Sequence, residues 1–111
     1  MIDRSTLAAG DAMILDGERK DFLVDWVLPA ISLTDLRAAQ HAVGEAGRRL
    51  TAEGEPVRCL QSIYVPSQQR WLCLFTAPSA GAVRRAHEIA QIPVSQIEEV
   101  VDLLVGDRLA T

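Results

Sequence analysis

Residues 71–100 read WLCLFTAPSAGAVRRAHEIAQIPVSQIEEV, and the order of patterns within them decides the fold. Trp71 to Thr76 is a short apolar run rich in strand-forming residues. Ser79, just after Pro78, marks a helix start, because a serine hydroxyl accepts from one of the first-turn N–H groups that have no partner inside the helix. Val83, Ala86, His87 and Ala90 follow at three- and four-residue spacing and so share one side of that helix. His87 therefore looks inward. Ile92-Pro93 ends the helix, since the residue before a proline is pushed out of helical geometry. Ile97 to Leu104 then alternates as a closing strand.

Upstream of this stretch the same grammar repeats. Phe22, Val24, Trp26 and Leu28 alternate with Leu23, Asp25 and Val27, which predicts a strand buried on one face with Asp25 on the other. Pro29 stops it. Ser32 with Asp35 three residues later resembles a capping box, and Leu36, Ala39, Val43, Ala46 and Leu50 form an apolar stripe ending before Gly54. His41 falls off that stripe and reads as a surface histidine. Val57 to Val65 is the next strand, joined to Trp71–Thr76 by the polar turn Pro66-Ser67-Gln68-Gln69-Arg70.

The element order is thus β-α-β-β-α-β. It predicts an α+β, ferredoxin-like domain over residues 21–105: a four-stranded antiparallel sheet with two helices on one face. The other face is left bare, with Leu60, Leu72 and Leu74 uncovered, and a second copy of the chain is expected to cover it. Residues 1–20 lack a sustained period and read as an N-terminal extension, an arm or lid in which Met13-Ile14-Leu15 has the option of an edge strand. Residues 106–111 form a tail.

With 111 residues one core of moderate size is expected. The net charge of −4 argues against phosphate-backbone binding, and no nucleic-acid partner is expected. The eleven basic residues are Lys20 and ten arginines, a skew that points first to base composition. No apolar run approaches the roughly 20 residues needed to span a bilayer, and no secretory leader pattern opens the chain, so a cytoplasmic protein without membrane association is expected. Nucleophile elbows, phosphate-binding glycine loops and the GxGxxG fingerprint are all missing, which leaves hydrolases, kinases and dinucleotide enzymes without support.

Counting parity along the hairpin places Val57, Cys59, Gln61, Ile63 and Val65 with Trp71, Cys73 and Phe75 on the core face. Arg58, Leu60, Ser62 and Tyr64 then share the opposite face with Leu72, Leu74 and Thr76. On this count Cys73 is opposite Ile63, some four residues from Cys59 along the ladder and beyond disulfide reach, so both cysteines read as free, small hydrophobes. The wetter face offers Arg58, Ser62 and Thr76 as ligand-binding candidates. Asp25, Tyr64 and His87 are the candidates for proton transfer, Asp25 as a base in a dry cavity and His87 as a group titrating near neutrality. Each has a plain structural alternative: an acid at a wet sheet surface or salt-bridged to Arg58 for Asp25, interface packing for Tyr64, and a hydrogen-bonded core histidine for His87.

These pieces resemble a family of small ferredoxin-like proteins, mostly of unknown function, that includes nickel-binding members. The resemblance runs from about Phe22 to Leu103. It is carried by Leu28-Pro29, Val57-Arg58, Ser62 and Val65, Cys73 with Ala77-Pro78-Ser79, Ala82-Val83-Arg84, His87, Ile92-Pro93 and Ile97 with Glu99-Val100. It implies a dimeric α+β barrel whose two sheets face each other across a small cavity, and a divalent metal such as nickel as the bound group, with His87 as its ligand. Two positions depart from the family pattern: Gln61 stands where a histidine is common, and Thr76 where an acid is common. Both departures remove good donors, leaving His87 to be pooled with Asp25 or Glu99 across two subunits.

Two function classes stay open. The first is a protein that binds a small ligand or a metal ion in the dimer cavity. The second is a cofactor-independent enzyme, an isomerase or cyclase, that uses the same cavity to shape a substrate and move protons. A cavity filled by side chains would make the dimer purely structural.

Overall fold

The computed structural model describes residues 19–94 and 96–104. The arm expected over residues 1–20, apart from its last two residues, and the tail over 106–111 lie outside that range. The elements are β1 (Lys20–Val27), α1 (Leu33–Ala52), β2 (Arg58–Val65), β3 (Arg70–Ala77), α2 (Ala80–Ala90) and β4 (Ile97–Val100), with a 3-10 turn over Pro66–Gln68 joining β2 to β3. The strands run in the order β2-β3-β1-β4, every neighbour antiparallel. This is the ferredoxin-like arrangement.

Local chemistry sets the helix limits. Ser32 Oγ accepts from the Asp35 N–H at 3.0 Å to start α1, and Ser79 Oγ accepts from the Ala82 N–H at 3.2 Å to start α2. Gln91 adopts a left-handed backbone, φ 62°, and its N–H closes onto Glu88 O, so α2 stops before Pro93 can clash with it. Leu36, Val43, Ala46 and Leu50 of α1 and Ala82, Val83, Ala86 of α2 are buried in one cluster with Phe22, Val24, Trp26, Trp71, Cys73 and Phe75. Both helices therefore cover the same sheet face. Each large apolar side chain taken out of water there contributes about 1.5–3 kcal/mol before entropy is subtracted.

The closing strand is shorter than its alternation predicts. β4 pairs only with Asp21–Val24 of β1, ending at Val100 opposite Asp21. β1 extends only one residue further, to Lys20, so at most one more pair is open to β4 beyond Val100.

The face assignment of β2 also requires correction. Cys59 lies opposite Phe75, but Gln61 lies opposite Leu74 and Ser62 opposite Cys73, so a bulge at Leu60 inserts one extra residue. An extra residue reverses every later side chain in a period-2 strand. Ser62 and Tyr64 consequently join Cys73 and Trp71 on the helix-covered face. Gln61 and Ile63 turn out to the open face beside Leu74 and Leu72. Cys73 is opposite Ser62 rather than Ile63, which brings it diagonally next to Cys59.

Candidate functional site

On the open face the centre is aliphatic: Leu23 is opposite Leu74 in one ladder, and Leu72 is flanked by Asp25 and Ile63. Polar groups bracket this strip. Arg70 holds Asp25 in a two-pronged ion pair, Nη2 to Oδ2 at 2.5 Å and Nε to Oδ1 at 3.3 Å. The fork matches the two carboxylate oxygens. At the far end of the hairpin Arg58 lies opposite Thr76. Three of the sequence candidates, Asp25, Arg58 and Thr76, thus share the open face. Asp25 pairs with Arg70, not Arg58.

Ser62 and Tyr64 lie on the other side of the sheet. With Leu33, Leu36, Gln40 and Trp71 they line a groove of about 260 Å3 beneath the first turns of α1. Arg37 completes the lining, and two of the groove's other polar groups are engaged within the fold. The Trp71 indole N–H donates to Ser62 Oγ at 2.8 Å, and the Tyr64 hydroxyl donates to the Leu28 carbonyl at 3.4 Å.

His87 is fully buried between α2 and the sheet. Its Nδ1 is 2.8 Å from the Val83 carbonyl, which can only accept, so in the neutral ring the proton sits on Nδ1. Nε2 is then a lone pair, without a hydrogen-bond partner among the described residues. The rings of Trp26 and Phe75 pack against the imidazole, each with centroids 5.2 Å away. Burial in this apolar shell pushes the ring below the ordinary histidine range, with the Arg84 charge adding to the effect and the Val83 hydrogen bond opposing it. His87 is a neutral core histidine, and the sheet separates it from Asp25. His41 is exposed on α1, with Nε2 3.7 Å from Glu45 Oε2.

Sequence reasoning missed two residues. Arg70 was assigned to the turn, although its position two residues before Leu72 places it on the face of Asp25. Gln40 lies off the apolar stripe of α1 yet reaches the sheet, where its Oε1 accepts from Cys73 Sγ at 3.7 Å. Four-residue spacing from Leu36 to Gln40 was the available signal.

A family model described as nickel responsive protein SCO4226-like matches residues 22–100. The chain belongs to the SCO4226-like family. The crystal structure of SCO4226 from Streptomyces coelicolor A3(2) superposes with a TM-score of 0.59 at 28% sequence identity, covering 72% of this chain and 94% of that one. No curated protein sequence matches the chain. Among the described residues of this SCO4226-like protein, no helix is long and apolar enough to cross a membrane.

Proposed function

We propose that this SCO4226-like chain is a binding protein that takes up a small ligand between the open sheet faces of two copies. One observation carries the proposal: the open face has an aliphatic centre, with Ile63 46% exposed, bracketed by the Asp25–Arg70 pair at one end and Arg58 with Thr76 at the other. An apolar floor with a few convergent polar groups suits a small molecule bearing a charged or hydrogen-bonding end. Two such faces closing on each other would bury the strip and leave the polar ends around the cavity.

A nickel-type ion is the second possibility, favoured by the family alone. The residues of one chain do not fit it. The orphaned lone pair of His87 faces aromatic rings rather than a second donor, and among the described residues no three His, Cys, Asp or Glu side chains converge. His87 and Asp25 lie on opposite faces of the sheet, which argues against pooling them. Glu99 is at the sheet edge, 3.8 Å from Lys20 Nζ. A cofactor-independent isomerase or cyclase has no support here either, because Asp25 is separated from Tyr64 and His87 by the sheet.

Sedimentation at micromolar concentration and titration with an anionic aromatic dye test the proposal together. The expected result is a dimer with saturable dye binding, both lost in Leu72→Asp, with dye binding weakened by Arg58→Gln. A monomer, or dye binding unaffected by both substitutions, would overturn it.

A further inference from the structure

The bulge at Leu60 brings together two groups that ligand binding on the open face does not use. Cys59, opposite Phe75, and Cys73, opposite Ser62, are diagonal neighbours on the helix-covered face. In a regular ladder such neighbours stand about 7–8 Å apart between Cα atoms, just outside disulfide reach. Here the extra residue shifts β2 against β3, and the two side chains lie close enough to influence each other. Both also meet the side chain of Gln40. Cys73 is fully buried, whereas Cys59 is half-buried and lines, with Gln40, Arg48 and Arg58, a surface pocket of about 240 Å3. One sulfur is reachable from solvent and the other waits behind it.

We propose that Cys59 and Cys73 form a redox-modification site for small hydroperoxides, Cys59 as the attacking sulfur and Cys73 as the resolving one. In the first step the Cys59 thiolate attacks one peroxide oxygen. The O–O bond breaks, Cys59 becomes a sulfenic acid, and the departing hydroxide takes a proton from solvent to leave as water. In the second step the Cys73 sulfur attacks the Cys59 sulfur, the S–OH bond breaks, and the Cys73 proton leaves with the hydroxyl as a second water. The two thiols lose two electrons and the peroxide gains them.

The surroundings divide the roles. Proximity to Cys73 lowers the Cys59 thiol below its usual range, and proximity to Cys59, with burial, pushes Cys73 up. A lowered, reachable thiol beside a protected partner is the arrangement that peroxide-sensitive pairs require.

The test uses the full reduced chain, treated with a few equivalents of hydrogen peroxide and read by intact mass and thiol counting. The expected result is loss of two hydrogens and of both thiols within one chain, reversed by dithiothreitol. Cys73→Ser or Cys73→Ala should instead leave a sulfenic acid at Cys59 that dimedone traps, and Cys59→Ser should leave Cys73 unreacted. Oxygen addition at Cys59 with the Cys73 thiol intact in the unsubstituted chain would overturn the proposal. So would disulfides formed only between chains, or thiols no more reactive than free cysteine.

Discussion

Trp26 and Trp71 stand directly opposite each other in the β1–β3 ladder and stack with ring centroids 4.3 Å apart and an interplanar angle of 24°. Their indole N–H groups diverge. Trp26 donates to the Pro93 carbonyl at 2.8 Å, beyond the end of α2, and Trp71 donates to Ser62 Oγ at 2.8 Å, beside the groove. The stack therefore ties the α2–β4 connection to the far side of the sheet. Trp71 is 1% exposed, so Trp71→Ala leaves a large void beside Ser62. A loss of about 3–5 kcal/mol is expected in urea unfolding. A loss below about 1 kcal/mol would mean that the site collapses around the void.

Two glycines of α1 should respond to alanine with opposite signs. A Cβ on Gly47 would lie 2.8 Å from the Val57 carbonyl oxygen, a backbone atom that cannot move aside. Gly47→Ala should destabilise by about 1–3 kcal/mol through overpacking. At Gly44 the nearest atom is the flexible Arg48 guanidinium at 3.7 Å, so Gly44→Ala should stabilise by about 0.5–1 kcal/mol from helix propensity. Thermal melts of the two variants decide the matter; equal shifts would contradict the close approach of α1 to Val57.

His87 makes stability depend on pH. Burial depresses its folded pKa, while the unfolded ring titrates near the ordinary value of about 6.5. Between the two values the unfolded chain binds the extra proton. Stability is therefore fully present above about pH 6.5 and falls as pH drops toward the folded value, by up to about 1.4 kcal/mol per pH unit. Denaturant melts between pH 7.5 and 5.5, values chosen about that range, should show this slope in the natural chain and a flatter one in His87→Leu. Identical slopes would remove His87 as the source.

Nickel should bind weakly, and its affinity should not change in His87→Leu, because the free lone pair is enclosed by Trp26 and Phe75. Isothermal calorimetry on the full chain measures both quantities. Tight stoichiometric binding abolished by that substitution would show that the core opens to admit the ion.

The element order and both helix starts were legible because each rests on local chemistry: Ser32 and Ser79 cap, and the stripes Leu36–Leu50 and Val83–Ala90 repeat at the helical period. The inward aspect of His87 followed from the same spacing. Tertiary structure alone decided the membership of the site. Parity counting is valid only while the ladder is regular, and nothing local to Cys59-Leu60-Gln61 marks the bulge, which is visible only in the register of β2 against β3. That single residue moved Ser62 and Tyr64 behind the sheet, turned Gln61 outward and set Cys59 beside Cys73. The length of β4 was equally hidden in its own alternation, because a strand can pair no further than its partner reaches, and β1 extends only to Lys20, one residue beyond the last pair.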